Sequence, residues 1–401
     1  MPALPTSADR NFSAAIRING EANEELYSCI QRITVEEDLE QGSSFSIELS
    51  ACRSEDGSWP YLDDENLRAW NRVTVYAAFP SQTEVVIDGY IAQLDIQTQP
   101  REGNVNVTLR GVDAAYHMNL EDKTRIWREQ TYEDIAREVI ESYGFEARIA
   151  ESPDASGSPP AVSQRGTDHA FLRELARRRG YEFFVQGGTA FFRPPELTGT
   201  PQKLIAVNFG DETNCSQFQI QADGTAPTAA AIQFLDPMTG AVGESRLEQS
   251  DLVALGTTPL SDLRGGINMP QTLQRPRRLG TMDQARADAY TAGLMRRNAW
   301  WVVANGRLNG LRYGQVLRSR KLVTVKGVGP TYNGSFYVRK VHHELTMRTY
   351  EMDFELVRNA VGKLGSEDFE GEHPDAMGLP ASAADSDTVS VSPAGPRVLP
   401  A

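Results

Sequence analysis

The sequence predicts a mainly β chain with an α/β insertion, and three observations carry that reading. The first is an internal repeat: Tyr90, Ile91, Leu94, Val105, Val107 and Leu109 recur 247 positions later as Tyr337, Val338, Val341, Met352, Phe354 and Leu356. The second is alternation. Tyr350, Met352, Phe354 and Leu356 are interleaved with Glu351, Asp353 and Glu355, and Val105, Val107 and Leu109 with Asn104, Asn106 and Thr108, the period of a strand with one buried and one wet face. The third is a switch to helical spacing within 131–180. Each copy of the repeat reads as a long antiparallel hairpin, so the chain holds a duplicated β domain, and duplication changes the symmetry a chain can offer.

Composition sets the limits. A chain of 401 residues holds roughly two to four domains with their own cores. Its 33 Gly and 22 Pro fit a turn-rich, strand-rich protein. Cys29, Cys52 and Cys215 form no CxxC pair and cannot all be bridged within one chain, which points to a reducing site of synthesis. The start, MPALPTSADRNF, lacks a basic region followed by an apolar core, and no stretch approaches the ~20 apolar residues that span a bilayer. A chain made soluble, not Sec-exported and without membrane insertion of its own, is expected. A net charge of −14 disfavours nonspecific attraction to phosphates, and no specific nucleic-acid binding is expected.

Along 14–115 strand candidates follow one another at 31–37, 45–50, 73–79, 85–96 and 104–111, broken at Gln41-Gly42, Pro80-Ser81 and Arg101-Glu102-Gly103. Closure into a small barrel, or a sandwich, would remove their exposed edges. Thr131 followed by Glu133 and Asp134 then signals a helix start, with Ile135, Ala136, Val139, Ile140 and Tyr143 on one face before Gly144. A strand at 145–149 and a Pro/Ser/Gly link at 152–160 lead to a second unit. Thr167 or Asp168 caps its helix, Phe171, Leu172, Leu175 and Ala176 face inward, and Gly180 ends it. Strands resume at 204–209, 218–222 and 230–235. A helix is expected over about 282–298, then strands at 300–304 and 315–326 and the closing hairpin. The segment from about Lys363 lacks a core-forming pattern and reads as a disordered tail.

Site chemistry is sparse. His342 and His343 are adjacent, so on a strand they point to opposite faces and cannot readily share one metal ion; HExxH, GxSxG and P-loop motifs are absent. Glu36-Glu37-Asp38 and Asp63-Asp64-Glu65 could conceal a glycosidase pair, but solvated turns explain them better. No catalytic residue, cofactor or metal ligand is assigned. Interface candidates are Arg177, Arg178 and Arg179, a basic run in a last helical turn, and Trp300 and Trp301, of which one ring would be buried and one could face outward as an anchor.

Four local sequences in order resemble the late control protein D family of contractile phages and the hub portion of VgrG spike proteins, over about 14–358. They are Tyr132-Glu133-Asp134-Ile135-Ala136 with Tyr143-Gly144-Phe145; Phe171-Leu172-Arg173-Glu174-Leu175-Ala176 with Gly180-Tyr181-Glu182-Phe183; Gly310-Leu311-Arg312-Tyr313-Gly314; and Gly334-Ser335-Phe336-Tyr337-Val338-Arg339-Lys340-Val341-His342-His343 with Tyr350 and Arg358. The resemblance implies a baseplate hub, a structural homotrimer in which each subunit supplies two similar antiparallel β-barrels. Three chains then present six barrels to a hexameric inner tube and meet a trimeric spike on the other side. It assigns 1–120 to the first barrel, 121–202 to the α/β module, 203–236 and 307–360 to the second barrel, 237–306 to an inserted region and 361–401 to a disordered tail. VgrG proteins continue into a spike, whereas this chain ends in a short tail, so the spike protein is expected as a separate partner, beside the inner tube protein and other baseplate proteins. Such a chain would be made in the bacterial cytoplasm and assembled into a phage tail or phage-tail-like particle. Two other readings are a glycosidase-type cell-wall-degrading enzyme on a β scaffold and a spike-associated effector carrier loading through the tail.

Overall fold

A computed structural model describes residues 13–22, 24–27, 29–39, 42–52, 64–99, 104–151, 161–276, 280–346 and 348–365. The first unit is built from β1 (Ser13–Ile18), β2 (Glu21–Ala22), a one-turn helix α1 (Glu24–Tyr27), β3 (Ile30–Asp38), β4 (Gly42–Cys52), β5 (Arg72–Ala78), β6 (Thr83–Gln99) and β7 (Asn104–Asp113). Alternation drives each strand: in β5, Val73, Val75 and Ala77 are fully buried while the residues between them are not. Strand β6 serves two neighbours, β5 along 83–90 and β7 along 89–99. The unit thereby curls around a core that takes Ile16, Val35, Ile47, Val75, Ile91 and Leu109 from its six long strands.

The α/β module follows with β8 (Asp122–Trp127), α2 (Tyr132–Ser142), β9 (Glu146–Ile149), β10 (Val162–Thr167), α3 (Asp168–Arg179), β11 (Glu182–Gln186) and β12 (Thr189–Arg193). Thr131 and Asp134 form a reciprocal cap on α2, and Thr167 caps α3 by accepting from the Ala170 N–H at 3.2 Å. Asp168 is thereby left for another task. It is buried, and it accepts from Lys123 Nζ (2.6 Å), Gln164 Nε2 (2.6 Å) and Tyr143 OH (2.8 Å), tying the antiparallel β8–β10 pair to both helices. Gly180 ends α3 in the left-handed conformation at φ 66°, where a Cβ would also collide with Gly293.

The second unit contains β13 (Gln202–Ala206) and β14 (Cys215–Ala222). An inserted subdomain comes next, with β15 (Ala229–Leu235), β16 (Val242–Leu247), β17 (Thr258–Pro259), α4 (Leu260–Gly266), β18 (Leu273–Gln274), β19 (Gly280–Thr281) and α5 (Gln284–Asn298). The unit is completed by β20 (Val302–Asn309), a helical turn α6 (Gly310–Tyr313), β21 (Leu322–Lys326), β22 (Gly334–Leu345), β23 (Tyr350–Arg358) and β24 (Ala360–Val361). The insertion is wider than the expected 237–306. Ala229–Leu235, an apolar run that reads as a barrel strand, pairs with β16, β18 and β19 and packs its Ile232 and Phe234 under α5. In return Val302–Asn309 enters the large sheet between β14 and β23. The tail expected from 361 onward does not begin there, since Val361 still pairs with Thr258; the rest of that segment beyond 365 lies outside the described residues.

The duplication extends far past the hairpin that reveals it. In space the first unit runs β1-β5-β6-β7-β4-β3 and the second β13-β21-β22-β23-β20-β14, the same order of strands taken in the same order along the chain. One edge differs: β1 lies antiparallel to β5, whereas β13 lies parallel to β21. Even the β-bulges match, after Ile91 in β6 and after Val338 in β22. The repeat read from sequence is two residues out on the return strand, since Leu94 faces Leu109 but Val341 faces Phe354, not Leu356. A slip of two keeps every side chain on its face, which is why the pattern hides it.

Candidate assembly surfaces

The two units meet edge to edge. Residues 340–345 of β22 run antiparallel to 33–38 of β3, merging both units into one 13-stranded sheet around a shared core. His343 stands opposite Val35, and both are fully buried. The imidazole Nδ1 lies 2.9 Å from the Tyr350 hydroxyl, and Nε2 lies 3.8 Å from Glu37. Burial pushes His343 down to about 4, outweighing the attraction of Glu37. Glu37 accepts from Arg318 Nη1 at 2.9 Å and from the N–H and Oγ of Ser319 at 2.9 and 3.0 Å. Burial alone would raise its carboxyl; Arg318, His343 and the Ser319 N–H together hold it below the ordinary value. The same Arg318 donates to the carbonyls of Val86 and Val85, so one guanidinium clamps two strands of the first unit, β3 and β6, to the second.

Two further edges have no such cover. On the side away from β23, the first half of β22 pairs with β21 and its second half with β3; on the side away from β7, the first half of β6 pairs with β5, but beyond Ile91 that side has no strand partner among the described residues. Leu94 and Ile96 there sit on the core face, opposite the buried Leu109 and Val107, yet are 39% and 40% exposed. Among the described residues strand β14 pairs with β20 alone. Its sequence, CSQFQIQA, carries no charge and no proline, and the free half of β6 carries only Asp95. Exposed edges are ordinarily guarded by charge, proline or a covering segment.

The sequence-derived interface residues separate. Trp300 and Arg177 come together on an open groove of 570 Å³, shared with Arg173, Arg296, Arg297 and Arg339. The Trp300 ring is half-buried and stacks on Tyr337 at 5.8 Å, and the Tyr337 hydroxyl donates to the buried Glu182 at 2.8 Å. Arg173, Arg177 and Arg297 have no ion pair among the described residues, whereas Arg296 is held by Asp251 and Arg339 by Glu355. Arg178 is tied to Glu174 at 3.0 Å and reaches the Tyr132 hydroxyl. Two candidates are corrected. Arg179 lies inside, 3.0 Å from the buried Glu133 carboxylate, because the last turn of α3 aims it at α2 rather than at solvent. Trp301 is buried in the core with its Nε1 donating to the Asn359 carbonyl at 2.8 Å; the alternation that turns Trp300 outward turns Trp301 inward.

A family model described as the Alg8 N-terminal domain matches residues 8–347. The chain belongs to that family. No curated protein matches the sequence. Among solved structures, the 43 kDa tail protein of prophage MuSo2 from Shewanella oneidensis is similar with a TM-score of 0.60 at 14% identity, over 87% of this chain and 99% of that one. A tail protein from Neisseria meningitidis MC58 gives 0.61 at 12% identity, over 87% and 97%. An Escherichia coli component of the type VI secretion system, described as similar to the T4 tail proteins gp27 and gp5, gives 0.52 at 10%, over 86% and 76%. The fold of this Alg8 N-terminal domain family member is thus the fold of phage tail proteins.

Among the described residues the members of the two acidic clusters have separate local partners. Glu36 lies on the outer face of β3 near His342 and Lys340 while Glu37 points into the joint. Asp64 accepts from the Asn66 N–H, Glu65 pairs with Arg68, and Asp63 lies outside the described residues. Among the described residues no three His, Cys, Asp or Glu side chains gather as a metal site, and no helix is long and apolar enough to cross a membrane. Sequence reasoning missed Arg318 and the β14 edge. Arg318 falls within the strand expected over 315–326 but sits in the loop before β21, which begins only at Leu322; the run of uncharged polar residues alternating with Phe218 and Ile220 was a signal for the edge.

Proposed function

We propose that the protein is a structural baseplate hub of a contractile tail or injection system, a trimeric adaptor that joins a separate trimeric spike to a hexameric inner tube. The observation that supports this best is the six-strand unit present twice in one chain with the same strand order and matching bulges. Three copies supply six equivalent units, so one molecule can match sixfold symmetry on one side and threefold on the other. The shared fold with tail proteins agrees with this, and an assembly role asks nothing of catalytic chemistry. The groove of Arg173, Arg177, Arg297 and Trp300 is then a contact surface for an acidic partner in the baseplate, where guanidinium groups without ion pairs gain charge-assisted hydrogen bonds.

The test is assembly. Purified chain mixed with the spike and tube proteins of its own particle is expected to give three copies per complex by native mass spectrometry, and a six-lobed ring in electron-microscopic class averages. A chain that stays monomeric with both partners present defeats the reading.

A further inference from the structure

The covered joint inside the chain is a template for the uncovered edges. In the first unit a row of opposed residues crosses the sheet as Val35, Phe45, Gly111 and Ile91. In the second the corresponding row is Ile220, Ala304, Leu356 and Val338. Ile220 therefore holds the place of Val35. Five residues beyond Val338 is His343, the residue Val35 faces at the joint; five beyond Ile91 is Ile96.

We propose that β14 of one copy adds antiparallel to the free half of β6 in a second copy of this chain, with Ile220 opposite Ile96 and Ala222 opposite Leu94. The sheet then continues from molecule to molecule in the register that already joins the two units within one. Three features support the match. Among the described residues both edges are free along the length the joint would use. Each lacks the charges that guard an edge, apart from Asp95. Leu94 and Ile96 are exposed on the core face, whereas Val35 and His343, which hold the equivalent row at the joint, are fully buried. Backbone hydrogen bonds supply the affinity of such strand addition and the apolar pairs its register. The contact is head-to-tail, so it forms a closed ring if the rotation between copies closes; with two units per chain, closure at three copies is the trimer proposed above, on which this inference rests.

Cysteine pairing reads it directly. The full chain carrying both I96C and I220C, treated with a short bismaleimide in the presence of the spike protein, is expected to run as a covalent trimer through a dimer. Each single variant, with native cysteines in place, is expected to stay uncross-linked. In a second arm I96K, at a site exposed in the single chain, weakens trimer formation at least tenfold while leaving the monomer's unfolding midpoint unchanged, and I96K combined with I220D restores it. Trimers by native mass that neither cross-link nor respond to I96K overturn the edge pairing but leave the hub reading standing. Absence of any trimer with spike and tube present overturns both.

Discussion

The two copies of the hairpin differ in what surrounds them. Tyr337, Val338, Val341, Met352, Phe354 and Leu356 are all buried, while in the first copy Tyr90 is half-buried and Leu94 is exposed. The strands are equivalent; their neighbours are not. Tyr337 is roofed by Trp300 and bonded to Glu182 from the α/β module, and Val341 is flanked by β3. Tyr90 meets the His117 ring at 4.9 Å, and among the described residues the β6 edge beside Leu94 is open. Sequence pattern sets which face points inward, and the tertiary neighbour sets how much of it is covered.

This contrast can be broken where it is strongest. Removing Arg318 with R318A leaves the Glu37 carboxylate in the joint without its guanidinium, and a loss of about 3–5 kcal/mol is expected from urea midpoints. Acid is next. His343 is held neutral at a value of about 4 in the folded chain against 6.5 unfolded, so the unfolded state binds the extra proton and stability falls as pH drops from about 6.5 to 4. The shift corresponds to about 3 kcal/mol. Glu37, held low, adds a loss of the same sign once the pH falls below the ordinary carboxylate range. Urea midpoints measured across that window should flatten in an H343F variant; an unchanged slope would remove the histidine from the account.

Smaller effects sharpen the comparison between copies. V341A, which empties a fully buried site, is expected to cost about 2 kcal/mol by thermal or urea unfolding. L94A, at the equivalent place in the first copy, should cost less than about 0.5 kcal/mol in the monomer. Equal losses would mean that the first hairpin is covered in solution even without a partner. Smallest is R72A: its pair with Asp88 at the surface of the first unit, although bidentate, is solvated and worth about 0–1 kcal/mol, far below the Arg318 clamp.

Much of this fold could be read locally. The caps at Thr131 and Thr167, the stop at Gly180 and the alternation of β23 are short-range signals, and the helix expected near 282–298 appears at Gln284–Asn298 behind its Asp283 cap. Sheet membership was not local. Ala229–Leu235 and Val302–Asn309 trade places relative to the expected boundaries because an apolar run states that it will be a strand, not which sheet it will join. At the candidate surfaces, Arg177 and Trp300 were legible by type. Arg179 was not, since its burial depends on Glu133 lying 46 residues upstream on another helix.

Strands β3 and β4 are joined by residues 39–41, while their counterparts β14 and β20 are separated by the whole subdomain 223–301. One departure from the duplication thus falls at this connection, on alternate units only. In a ring of three chains the bare turns and the loaded turns alternate, so a partner touching the strands counts to six and a partner touching those turns counts to three. In the hub proposed above, the mismatch between sixfold tube and threefold spike would then be resolved by where along one connection the extra chain was placed.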